Sequence, residues 1–163
     1  MALFTGTANV PLIKSAFAGF VGLGEKAKAD DFQMTIQGFN DLKFLVQTAQ
    51  WPAIKREMVE ITGPHGIQVK QQGKITNAHE LPITFIETVQ GHVLRDLRTW
   101  VKEKSYRQVT LKLLSEAQPN PNDYTSLLMD FCWFASEPVE NSTEDNAPLK
   151  VSGTLYVNWV SYF

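Results

Sequence analysis

The chain has 163 residues, 44% of them hydrophobic and 20% charged, with a formal net charge of -2. A single domain spanning 1–163 accommodates this length and can bury roughly 70% of the surface of the unfolded chain. The near-neutral charge argues against a protein that coats nucleic acid phosphates, and the one cysteine, Cys132, excludes an intrachain disulfide or a cluster of thiolates.

Residues 1–30 are rich in Gly, Ala and Phe without a sustained period, which predicts an irregular N-terminal arm that packs by its aromatics. This segment lacks the cationic start and unbroken apolar run of a secretory signal, so synthesis in a reducing cytoplasm is expected. No stretch approaches the roughly 20 apolar residues of a membrane helix. Alternation of Phe32, Met34 and Ile36 with Gln33, Thr35 and Gln37 predicts a half-buried strand, ended by turn residues from Gly38 to Asp41. A second strand is expected over Leu42–Thr48. Trp51 and Pro52 then force the chain out of its sheet, because proline supplies no ladder donor and restricts the residue before it. Extended structure resumes over Ile54–Ile61, turns at "TGPHG", and continues as a polar stretch over Ile67–Ile75. Leu81, Ile83, Phe85 and Val89 share one face of an apolar strand.

The segment "GHVLRDLRTWVKEK" predicts an amphipathic helix, with Val93, Leu94, Leu97, Trp100 and Val101 in one stripe and Arg95, Asp96, Arg98, Lys102 and Glu103 facing water. A strand over Val109–Glu116 and a hard turn at "QPNPND" follow. The next strand places Leu127, Met129, Phe131, Trp133 and Ala135 on one face. Residues 137–148 form an exposed acidic loop. The last strand runs from Leu149 to the terminus with Val151, Leu155, Val157 and Trp159 inward. These elements describe a mainly β domain, an antiparallel barrel or sandwich flanked by one helix.

Motifs for chemistry are missing or out of context. "GLGEKA", Gly22–Ala27, matches a dinucleotide fingerprint on paper but has neither a strand before it nor a crossover helix after it. His65, His79 and His92 lack companions at metal-ligand spacing. Cys132 sits among apolar strand residues, where a thiol is inert. The acidic loop gives no desolvation to raise a general acid's pKa. The expectation is no enzyme, no cofactor and no metal. "NST" at Asn141 matches a glycosylation acceptor that has no consequence without export.

The informative stretch is "HGIQVKQQGKITNAHE", with Gln68, Lys70, Gln72, Lys74 and Thr76 on one face and only Ile67, Val69 and Ile75 on the other. Such a strand buries little within its own domain, and a long open edge invites pairing with another subunit. An ordinary hairpin with one wet face is the alternative. Phe20 in the arm, and Tyr162 and Phe163 at the terminus, add contact candidates at the chain ends.

The succession of "FLVQTAQWPAIKREMVEI", "GIQVKQQGKITNAHELPITFIET", a helix containing "LRDLRTWV" and a closing "GTLYVNWVSYF" resembles the tail tube proteins of contractile-tailed bacteriophages over Phe32–Phe163. The resemblance implies a two-sheet barrel that joins neighbours into six-membered rings, stacked as a hollow conduit for DNA ejection. It places Trp51, Pro52 and Ile54 near an inter-subunit seam and turns Gln68, Lys70, Gln72 and Lys74 toward the lumen. The family's lumen is often acidic, and Lys70 and Lys74 leave the sign open. The implied partners are further copies of the chain, tail sheath protein, baseplate and tail terminator proteins, and tape measure protein and DNA passing through the lumen. No membrane is involved. The implied location is the virion, after assembly in the host cytoplasm. Alternatives are a type VI secretion tube protein, a tube-initiator or baseplate protein and, from another class, a small β-barrel enzyme or ligand carrier.

Overall fold

The structure is a computed structural model that describes residues 10–115, 122–144 and 146–161. It opens with a helix, α1 (Val10–Gly22), and continues as β1 (Phe32–Ile36), β2 (Val46–Thr48), β3 (Arg56–Thr62), β4 (Gln68–Ile75) and β5 (His79–Ile86). A second helix, α2 (His92–Glu103), precedes β6 (Arg107–Leu113), β7 (Ser126–Ser136), β8 (Lys150–Val157) and β9 (Trp159–Ser161). Seven strands form one antiparallel sheet in the order β1-β6-β7-β8-β5-β2, with β9 added to β7, while among the described residues β3 and β4 pair only with each other.

The large sheet curls until its two edge strands are joined by a 3-10 turn, Asn40–Phe44, which buries Leu42 completely. Gly38 permits this path, because its φ is +84° and a side chain there would run into the Arg107 guanidinium. That guanidinium lies 4.0 Å from the centroid of Phe39 and donates to the Gln37 carbonyl at 2.8 Å and to Glu103 at 2.8 Å. The turn also explains why the strand expected over Leu42–Thr48 is shorter. Leu42 turns inward, Phe44 is exposed, and sheet pairing begins only at Val46.

Alternation along the strands fills the interior. Met34 and Ile36 from β1, Val109 and Leu111 from β6, Ile83 and Phe85 from β5, and Val151 and Leu155 from β8 are all buried. Helix α2 closes this interior with Val93, Leu97 and Trp100. Trp100 stacks on Phe134 at 6.5 Å and meets Phe39 at 5.8 Å, while Phe85 meets Phe134 edge-on at 5.7 Å. One aromatic chain therefore ties the helix to both halves of the sheet. The start of α2 has no side-chain cap at Gly91. Glu87 supplies it from outside, accepting from Val93 N at 3.1 Å and Leu94 N at 2.8 Å.

Five details differ from the sequence expectations. The N-terminal segment is not an irregular arm packed by its aromatics: Val10–Gly22 is helical and every residue in it is exposed. Strand β5 ends at Ile86, so Val89 lies beyond the sheet and fully in solvent. On α2, Val101 is exposed and Asp96 is buried, its carboxylate accepting from Arg95 Nε at 3.1 Å. Along β7 the inward set changes after Met129. Met129 opposes Val109 whereas Cys132 opposes Arg107, an extra residue that forms a bulge, with Phe131 at φ +55°. Cys132 and Phe134 thus enter the core while Phe131 and Trp133 are exposed. The last strand also breaks at Asn158, so Val160 points inward and Trp159 does not. Glu116 and most of the "QPNPND" turn lie outside the described residues, as does Asp145 of the acidic loop.

Candidate assembly surfaces

Among the described residues, no group of three His, Cys, Asp or Glu side chains could hold a metal ion, and no helix is long and apolar enough to cross a membrane. Cys132 is fully buried, and its thiol is pushed up to about 12 by loss of solvent and, secondarily, by the negative charge of Asp130. It stays protonated at neutral pH and offers no nucleophile.

What the surface does present is uncovered apolar side chains on elements that receive no support from the core. The β3–β4 hairpin is the clearest. All its strand residues are exposed except Gly73, which is half-buried. Register places Val59 opposite Gln71 and Ile61 opposite Val69, so these four share one face. Met58, Glu60 and Thr62 oppose Gln72, Lys70 and Gln68 on the other. The pairing shifts between Arg56 and Met58, and Arg56 Nη1 donates to the Gly73 carbonyl at 3.2 Å across that irregularity. Of the five residues expected on a polar face, Gln68, Lys70 and Gln72 therefore do share one, while Lys74 lies past the shift and Thr76 beyond the end of β4. Met58, Val59, Ile61, Ile67 and Val69 remain largely exposed. A lone two-stranded hairpin is marginal in water, so one that displays this much apolar surface needs cover.

The corner before the hairpin divides. Pro52 is buried in its own chain, Trp51 is 38% exposed, and Ile54 is 82% exposed. Trp51 and Ile54 are thus free to face a neighbour and Pro52 is not. Phe20 is exposed on α1 beneath the Lys26 ammonium, 4.2 Å from its ring centroid. Tyr162 and Phe163 lie outside the described residues.

A further apolar feature went unnoticed in the sequence because the bulge at Phe131 creates it. Trp133, carried to the outside, stacks on Tyr156 at 4.2 Å and forms a wall of a groove of about 570 Å3 between the end of α2 and the end of β7. Only the cross-strand register reveals this, and a strict alternation reading hides it.

A curled antiparallel sheet with a flanking helix and a protruding, exposed hairpin makes a nearly closed β-barrel fold. The same fold is found in solved contractile injection systems. The chain is similar to the tube-terminating cap of the anti-feeding prophage, with a TM-score of 0.66 at 13% identity over 84% of this chain and 90% of that one. It is also similar to a chain of the sheath-tube complex of the extracellular contractile injection system PVC in its extended state, with a TM-score of 0.64 at 12% identity, covering 87% and 94%. The sheath/tube terminator of that system gives a TM-score of 0.63 at 12% identity, covering 83% and 95%. No family model and no curated protein matches the sequence significantly. The chain is tail-tube-like in fold.

Proposed function

We propose that the chain is a structural subunit of a contractile-tail tube, forming six-membered rings that stack into a hollow conduit for DNA in a phage particle. The β3–β4 hairpin carries this reading. Its Val59, Ile61 and Val69 face lacks cover within one copy, and a neighbouring copy would supply it. The edges of the curled sheet would likewise be completed by strands of adjacent subunits, which ring closure removes from solvent. Trp51 and Ile54 then lie at the seam. The polar face with Gln68, Lys70 and Gln72, together with Lys74, faces the channel, where the glutamines offer DNA no apolar surface while Lys70 and Lys74 are the groups that attract its phosphates. Sheath, baseplate, terminator and tape measure proteins are the partners such a tube requires. No catalytic role enters this reading.

A capping or terminating subunit is the second reading, supported by the likeness to a tube-terminating cap and to a tube terminator. Electron microscopy of the purified protein tests both. Rods of constant bore built from six-fold rings are expected of a tube subunit, and rings that never stack are expected of a terminator. A monomer that forms neither would overturn both.

A further inference from the structure

Helix α1 carries most of its large apolar side chains on one side, Leu12 being the exception. Ile13, Phe17 and Phe20 fall at i, i+4 and i+7, with Val10 and Val21 beside them, whereas Ser15, Ala18, Gly19 and Gly22 occupy the other side. The stripe is uncovered: Ile13 is 56% exposed, Phe17 68% and Phe20 61%. The helix end is nevertheless built. Lys26 Nζ donates to the carbonyl of Phe20 at 2.6 Å, an acceptor that a helix C-terminus leaves open, and to that of Gly24, just past the helix, at 2.8 Å.

A 13-residue helix is marginal by itself and is stabilised by packing its apolar face. The chemistry of α1 narrows what it packs against. Lys14 is its only charged residue, too little to hold a polyanion or an anionic membrane surface. At about 1.5 Å per residue it is also far too short to span a bilayer. An apolar protein groove remains, of the kind that receives helices through anchors at this spacing.

The same chain contains such a groove, lined by Trp100, Val101, Tyr106, Trp133, Phe134 and Ala135, with a volume of about 570 Å3. Its own α1 cannot reach it. The segment after α1, Leu23–Ala27, lies against Leu113, Leu114, Ser115 and Thr125, and Leu114 N donates to the Asp31 carbonyl at 3.0 Å. From residue 125 to residue 134 the strand rise amounts to on the order of 30 Å. Phe17 stands only about 9 Å from the base of its helix and Ile13 about 15 Å. Helix base and groove occupy opposite ends of β7, so a second copy satisfies both surfaces head to tail. Such a heterologous contact repeats from copy to copy, closing into a ring or running on as a filament according to the rotation between copies.

We propose that α1 of one copy seats Ile13, Phe17 and Phe20 in the α2–β7 groove of the next, and that within the tube reading, on which the axial direction rests, this contact links successive rings. The test uses the full-length chain with Phe17→Cys and Ala135→Cys, alone and together, in which buried Cys132 stays silent. After oxidation, an equal mixture of the two single variants is expected to give a covalent dimer, and the double variant a ladder. An internally closed monomer from the double variant with no dimer from the mixture, or no cross-link at all, overturns the proposal. A second arm images Phe17→Asp/Phe20→Asp, which is expected to give separate rings in place of rods. Rods of unchanged length would sink the helix contact and leave the tube reading standing. If the unsubstituted protein gives no rings or rods yet the ladder forms, the tube reading fails and the helix contact survives.

Discussion

Asn158 Nδ2 donates to the carbonyl of Phe131 at 2.8 Å, joining the break between β8 and β9 to the bulge in β7. Two irregularities on neighbouring strands are thereby held in one register, and together they reverse which residues face the core. Asn158→Ala removes the donor and is expected to cost about 1 kcal/mol in urea denaturation. Phe131→Gly relieves a left-handed backbone that costs a bulky residue about 1–2 kcal/mol and removes a side chain that is already exposed. It is expected to leave stability unchanged or raise it. A loss of more than about 1 kcal/mol would show that the Phe131 ring, rather than the bulge, matters here.

This pair also explains what the sequence reveals and what it hides. Period-two alternation identifies β1, β5, β6 and β8, because each packs one face on a continuous core and obeys the pleat. It fails in β7 and at the terminus, where a single inserted residue moves Phe131, Trp133 and Trp159 outward, and the groove wall goes with them. Helix α1 escapes the sequence, which predicts an irregular arm there, because its glycines and alanines mask a period that only large side chains such as Ile13, Phe17 and Phe20 carry. Asp96 was misplaced for a different reason: a carboxylate on an amphipathic helix reads as solvated, and only its neighbour Arg95 reveals the compensation. The hairpin was the most legible candidate surface, since its polar and apolar sets alternate and no local sequence covers them.

Glu87 holds the first turn of α2, whose Trp100 anchors the aromatic chain of the core. Glu87→Ala leaves the Val93 and Leu94 amides without their acceptor and is expected to cost about 1–2 kcal/mol. Glu87→Gln keeps one amide oxygen and should recover part of that loss. Equal stability of all three proteins by thermal unfolding would remove the capping role.

Cys132 reports whether the barrel stays closed. With its thiol pushed up to about 12 and no exposed surface, it is expected to resist alkylation at pH 8 in the folded protein and to react once denatured. The linkage sign follows from the raised value. The folded state binds this proton more tightly than the unfolded state, so the associated stability is complete below pH 9 and declines as pH rises from 9 toward 12. Cys132→Ala should flatten that part of the decline relative to the parent protein. Rapid labelling under native conditions would mean that β6 and β7 open locally.

Trp51 is 38% exposed beside a buried Pro52 and lies outside the buried core cluster. Trp51→Ala is therefore expected to change subunit stability by less than about 1 kcal/mol while weakening assembly in sedimentation. An unfolded soluble subunit would make Trp51 a core residue instead.

The hairpin gives the sharpest separation between folding and assembly, because its Ile61–Val69 pair lies outside the buried core. Val69→Asp places a charge directly opposite Ile61 without disturbing any packed interior atom. If a neighbouring copy covers this face, the charge must be desolvated on association, a cost of several kcal/mol that the contact cannot tolerate. Spectra of the soluble subunit should then match the parent protein, while particles larger than a monomer disappear from light scattering. Val59→Asp on the same face should act alike, and Glu60→Gln on the opposite face should not. Assembly that proceeds equally in all three would mean that the apolar side of β3–β4 stays in water, and the hairpin would lose its place in the proposed contact.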